Sequence, residues 1–181
     1  MLTGTAGNDM FMADLSANAS TFQSGDVING GNGTDTLMVT LVDTPFAVSA
    51  TTNSVEIMHV RSQNSQAESD GDNNASGYTL TQNGHNKIVT ADDNTIDAQN
   101  MTGMTQFWST DSRADLVIED VRNNSHETTI GFRNADAGDV DYAVFFNSQH
   151  ITAPAGNTNG SQLFIRSEEH TSELQSRITI S

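Results

Sequence analysis

Short stretches of alternating apolar and polar residues recur along this chain, separated by clusters of Gly, Asn, Asp, Ser and Thr. Leu37, Val39 and Leu41 alternate with Met38, Thr40 and Val42, a period of two that predicts a strand with at least one buried face. Residues 53–61 place Val55, Ile57 and His59 on one face and Glu56, Met58 and Val60 on the other, which predicts a second strand, entered from a turn. From Tyr78 onward the segments 95–98, 105–110, 115–121, 128–133 and 140–147 are short, rich in β-branched or aromatic residues, and bounded by turn formers. The starts at 105, 115, 128 and 140 are nearly evenly spaced, as suits either rungs of a β-solenoid or strands of a β-sandwich. An all-β fold is therefore expected. Phe107, Trp108, Phe132, Tyr142, Phe145 and Phe146 fall at strand spacing and are expected in the core. The alternative is a ligand platform, with Trp108 as a sugar-stacking ring.

Ahead of the first clear strand, Gly30, Gly31, Gly33, Asp35 and Leu37 fill every fixed position of the nonapeptide GGxGxDxUx, where U is a large apolar residue. Glycines packed this closely open left-handed backbone conformations, so that carbonyl oxygens can turn inward around a cation. Asp35 then supplies a hard anionic oxygen, the ligand type that calcium prefers. A weaker copy runs from Gly4 to Phe11: Thr5 replaces the second glycine, while Gly7, Asp9 and Phe11 keep the register. A cation between stacked turns needs ligands from both. The offset from Gly4 to Gly30 is not a multiple of nine, so residues 13–24 are expected to loop out or to form an irregular coil. Ordinary glycine-rich hairpin turns are the alternative for both stretches.

On these residues the chain resembles the RTX (repeats-in-toxin) calcium-binding proteins. The resemblance implies a parallel β-roll with calcium held between successive glycine turns, by Gly4, Gly7, Asp9, Asp26, Gly30, Gly31, Gly33 and Asp35. Ser54-Val55-Glu56, which opens the second strand, is similar to a strand that follows such turns in bacterial surface-layer proteins and large adhesins, although one residue differs. The resemblance further implies an extracellular or cell-surface location, reached by type I secretion through a carboxyl-terminal signal. It also implies a chain kept unfolded at low calcium and folded at high calcium.

Charge supports a cationic partner. The chain carries 23 acidic and 7 basic residues, with Lys87 as the single lysine, and a formal net charge of −16. Nucleic acid and anionic membranes would repel it. There is no cysteine, hence no disulfide or thiolate metal site. No apolar run approaches the roughly 18 residues of a membrane span, and residues 1–4 are not the basic, then apolar start of a signal peptide.

Three regions are expected: an RTX-like calcium-binding β-roll segment at 1–42, a β-solenoid or β-sandwich at 43–165 with an exposed acidic loop at 62–77, and a tail at 166–181. Residues 166–176 resemble the in-frame translation of a sequencing-library adapter, and 177–181 its continuation, so fold and function are read from residues 1–165. Within the acidic loop Asp70, Asp72 and Asn74 have the spacing that opens an EF-hand, but Ala75 and Thr81 stand where that loop needs glycine and glutamate. Asp136, Asp139 and Asp141 are expected as turn residues and edge charges. Chelation by the alternating pair Asp139 and Asp141 is the alternative.

Enzyme signatures are missing. His126-Glu127 is followed by Thr-Thr-Ile rather than completing HExxH, and neither GxSxG nor GxxxxGK[ST] occurs. His59, His85, His126 and His150 have no ligand-like spacing. The expectation is a non-enzymatic, calcium-stabilised structural or adhesive module, with self-association in a surface layer or cell-surface glycans as further partners. A non-catalytic piece of a secreted hydrolase and a carbohydrate-binding β-domain are the alternatives.

Overall fold

The computed structural model describes residues 1–16, 20–42, 47–63, 78–82, 85–89, 94–122, 127–134, 142–147, 162–168 and 178–180. Its strands form a parallel β-solenoid of about four turns, with no helix among the described residues. Three sheets make its sides. The first stacks β1 (Leu2–Thr3), β3 (Val27–Asn29) and β5 (Thr51–Asn53). The second stacks β2 (Met10–Leu15), β4 (Thr36–Val42), β6 (Ile57–Gln63), β10 (Gln106–Thr110), β12 (Glu127–Arg133) and β14 (Gln162–Glu168) in that order. The third stacks β9 (Asn94–Asp97), β11 (Leu116–Val121), β13 (Tyr142–Phe146) and β15 (Ile178–Ile180). Among the described residues only β7 (Tyr78–Gln82) and β8 (His85–Val89) pair antiparallel, as a hairpin.

Solenoid and sandwich both suit the even spacing of the later segments, and the structure resolves it as a solenoid. Strands β10 to β13 alternate between the second and third sheets, so each of those spacings is one side of a coil rather than a hairpin. The offset between Gly4 and Gly30 has the same origin. Leu2 pairs with Ile28, and Met10 with Thr36, so that offset is one whole coil. The loop or irregular coil expected at 13–24 is corrected at its start, where residues 13–15 are strand, while residues 20–24 are irregular as expected. Ala13 and Leu15 lie in β2 and point inward. The chain then turns, with Thr21 and Phe22 donating to the Asp14 carbonyl at 2.7 and 3.0 Å, and buries Phe22 in the core. A multiple of nine matters only where each side of a coil is one nonapeptide.

Alternation decides which residues fill the interior. The inward column Phe11, Leu37, Met58, Phe107 and Ile130 lies beside Ala13, Val39, Val60, Ser109 and Phe132. Ile96, Ile118, Val144 and Tyr142 face them from the third sheet, with Tyr142 edge-on to Phe132 at 5.2 Å. Each large apolar side chain buried here contributes about 1.5–3 kcal/mol. Of the expected aromatic core, Phe107, Phe132 and Tyr142 are central, Phe146 packs against its margin, and Phe145 joins a small cluster with Val117.

Of the acidic loop expected at 62–77, residues 64–77 lie outside the described residues, and Ser62 and Gln63 belong to a strand instead. Strand β6 runs on through Ser62 and Gln63, and Ser62 is buried. The Ser62 hydroxyl donates to the Asp115 carbonyl at 2.8 Å and accepts from Asn94 Nδ2 at 2.7 Å, while the Ser62 amide donates to Ser112 Oγ at 3.0 Å. The Asn94 bond ties the end of β6 to the start of β9, and the other two tie it to the segment that leads into β11.

Candidate cation-binding corner

The glycine motif forms the corner between the first and second sheets, and its two copies lie directly on one another. The Gly4 amide donates to the Asn29 carbonyl at 2.8 Å and the Gly30 amide to the Asn53 carbonyl at 2.9 Å. These bonds lock successive turns at strand spacing, about 4.8 Å. Such proximity explains the glycines. Gly31 and Gly33 have φ of 102° and 124°, open to few other residues. A Cβ on Gly31 would strike the Thr5 carbonyl, and one on Gly33 would lie 2.7 Å from the Gly7 carbonyl oxygen and 2.9 Å from Asn8 Oδ1. Three oxygens of the first turn therefore face the second.

The acids occupy a column of their own. Asp9, Asp35 and Glu56 each stand immediately before a strand of the second sheet, at equivalent positions in successive coils. The Asp9 amide donates to Asp35 Oδ1 at 2.7 Å, and the Asp35 amide donates to Glu56 Oε2 at 2.8 Å. Each carboxylate thus extends the backbone ladder by one bond at the point where the chain turns away, standing in for a carbonyl. Asp9, in the first coil, instead folds onto its own turn and accepts from the Thr5 amide at 2.6 Å and the Thr5 hydroxyl at 3.0 Å. Further along the column Thr105 and Thr128 take the equivalent place.

Asp35 is the residue that this network leaves incomplete. It is 0% exposed, and its Oδ2 has no hydrogen-bond partner. That oxygen points at Gly30, where a Cβ would strike both it and the Ser54 carbonyl. A sealed carboxylate oxygen without a positive partner is strongly unfavourable.

Of the residues expected to hold calcium, Gly4, Gly7, Asp9, Gly30, Gly31, Gly33 and Asp35 share this corner. Asp26 does not. It lies at the far end of β3, roughly 13 Å from the turn at the usual rise per residue, where its Oδ2 accepts from the Gln23 amide at 2.8 Å. Glu56, Thr5 and Asn8 join the corner unforeseen. A usable signal for Glu56 was an acid directly before each apolar strand, in Asp9-Met10, Asp35-Thr36 and Glu56-Ile57.

The donor set is all oxygen and suits a hard divalent cation. Calcium takes 6–8 oxygens from carboxylates and carbonyls alike. No cluster of three His, Cys, Asp or Glu side chains occurs among the described residues; the oxygens gathered at the stacked glycine turns are those of the Asp9 and Asp35 carboxylates and of the Thr5 and Gly7 carbonyls. The orphaned Asp35 oxygen and the side-chain-free cradle at Gly30, Gly31 and Gly33 fit that chemistry.

Asp70, Asp72, Asn74, His126, Asp136, Asp139, Asp141 and His150 are outside the described residues. Trp108 lies on the outer face of the second sheet yet is only 5% exposed. Its ring rests on Gly131, where a Cβ would strike the indole, stacks on His59 at 5.8 Å, and donates its N–H to Gln106 Oε1 at 3.1 Å. No open ring face is left for a sugar. Compared with known proteins, the chain matches no family model, no curated protein and no solved structure.

Proposed function

We propose that this chain is a non-enzymatic, calcium-stabilised β-solenoid module of a secreted or cell-surface bacterial protein, serving a structural or adhesive role. The observation that carries this is the Asp35 carboxylate at the stacked turns, fully buried and with one oxygen, Oδ2, left without a hydrogen-bond partner beside Gly30. Calcium would be held by Asp9 and Asp35 with the Thr5 and Gly7 carbonyls, and would supply the positive charge that the corner lacks. The chain's own residues do the rest. Glycines keep side chains out of the space between turns, the Asn29 and Asn53 carbonyls fix the spacing, and the apolar columns below hold the turns in register.

Net charge makes the coupling strong. A chain at −16 repels itself, and a cation bound only by the folded corner shifts the equilibrium toward the fold. At a free concentration of 100 times Kd this amounts to about 2.7 kcal/mol. Thermal unfolding of the full chain, followed by circular dichroism, tests the proposal. A midpoint that climbs with calcium, does not climb comparably with magnesium, and falls back in chelator is expected. A midpoint indifferent to calcium would leave the corner as an ordinary glycine turn.

A further inference from the structure

We propose that the cation column reaches one rung beyond the glycine motif: Asp35, the Ser54 carbonyl and Glu56 form a second divalent-cation position, with Asp35 shared between the two. This rests on the calcium proposal above, and adds a site whose third rung has no glycine repeat.

The partnerless Asp35 oxygen carries the assignment. Asp35 Oδ1 faces the first coil, where it accepts from the Asp9 amide at 2.7 Å. Oδ2 faces the space beside Gly30, completely buried and without a partner. The Ser54 carbonyl of the third coil points into that same space, because an added Cβ at Gly30 would strike both atoms. Ser54 reaches this position with φ of 51°, standing where the earlier rungs have glycine. Two oxygens, one of them anionic and fully buried, thus converge from adjacent coils beside Gly30.

Glu56 adds the charge. Its Oε2 lies 2.8 Å from the Asp35 amide, so its carboxylate sits in the gap between the second and third rungs. The third turn, from Asn53 to Ile57, is shorter than the second, from Asn29 to Thr36. A glutamate, one methylene longer than aspartate, spans the gap where the shortened loop does not. Carboxylates at successive positions of a parallel ladder stack at about 4.8 Å, and like charges directly opposite are unfavourable. A divalent cation between them turns that repulsion into bridging. The fourth rung has Thr105, which donates only backbone and hydroxyl bonds to the Glu56 carbonyl, at 2.8 and 3.4 Å. The column of charge therefore ends at Glu56, leaving two gaps between acids and so two positions.

Native mass spectrometry of the full chain in calcium counts the ions directly, alongside Glu56→Gln, Asp9→Asn and Asp35→Asn. The amide side chain of the Glu56→Gln variant retains an oxygen for the Asp35 amide, so the corner bond survives while the charge is lost. The expected result is one ion fewer in Glu56→Gln, one fewer in Asp9→Asn and two fewer in Asp35→Asn. A Glu56→Gln chain with the unsubstituted count and affinity, beside an Asp35→Asn chain that loses an ion, would overturn the second position and leave the first standing. No calcium on the unsubstituted chain would overturn both. The count on the unsubstituted chain is also the second measurement where a variant does not fold: fewer than two ions at saturation excludes the Glu56 position.

Discussion

From Asp9 to Glu56 the corner of the solenoid is made of glycine and carboxylate, whereas at Thr105 and Thr128 the same column is made of threonine, although the same sheet runs through both. The apolar columns beneath differ far less: Leu37 and Met58 give way to Phe107 and Ile130 without a break. Cohesion of the coils is thus a property of the interior, shared along the length. The proposed sensitivity to cations would be a property of the corner, confined to the first three coils.

The largest effect should come from the shared part. Phe107→Ala removes a buried ring from the central column and should cost about 3–5 kcal/mol, by the same amount in calcium and in chelator, as read by urea unfolding. A loss that depended on calcium would mean that interior and corner are not separable. Gly31→Ala comes next. Its φ of 102° alone adds about 1–3 kcal/mol of strain for a side chain, and the Cβ strikes the Thr5 carbonyl as well. The calcium-induced rise in midpoint should vanish in this variant; a full rise would show that the stacked turns are not the binding element. Gly131→Ala sharpens the contrast from the other side. Displacing the Trp108 ring should cost about 1–3 kcal/mol and alter its fluorescence, while the calcium response stays intact.

The smallest effect concerns Tyr142. Its hydroxyl is buried without a partner, and burial pushes its phenol well above the ordinary value. An acid whose folded pKa is raised favours the fold fully below its unfolded pKa of about 10, and that contribution is lost as pH rises from there toward the folded pKa. Tyr142→Phe should leave stability at neutral pH within about 1 kcal/mol and should reduce the loss between neutral pH and roughly pH 11. An alkaline midpoint that falls as steeply in the variant would assign the sensitivity elsewhere.

How far the sequence revealed these regions follows from the range of the interactions involved. Leu37, Val39 and Leu41 were legible because alternation within one strand fixes which side faces inward. The Gly30–Asp35 turn was legible because glycine and aspartate at short spacing reflect local backbone demands. The length of the first coil was not, because it is set by how Phe22 and its neighbours close the third side, and no local pattern encodes that. Glu56 was missed for a related reason. Its partner is the Asp35 amide, a full coil earlier and brought near only by coil-to-coil register. Asp26 looked like a ligand because it is close in sequence, but β3 carries it to the opposite end of a side.

The sequence separation between β6 and β10 bears on folding kinetics. Met10 pairs with Thr36 and Thr36 with Ile57, yet Ile57 pairs with Gln106, a step longer than the two before it combined. Doubling a loop adds only about 0.6 kcal/mol of closure entropy, so the detour is thermodynamically mild. Strands β6 and β10 must nevertheless find each other across the longest separation between neighbours of their sheet, and distant contacts form late. The pairing of β6 with β10 is accordingly expected to form late in folding, after the shorter-range pairings on either side of it.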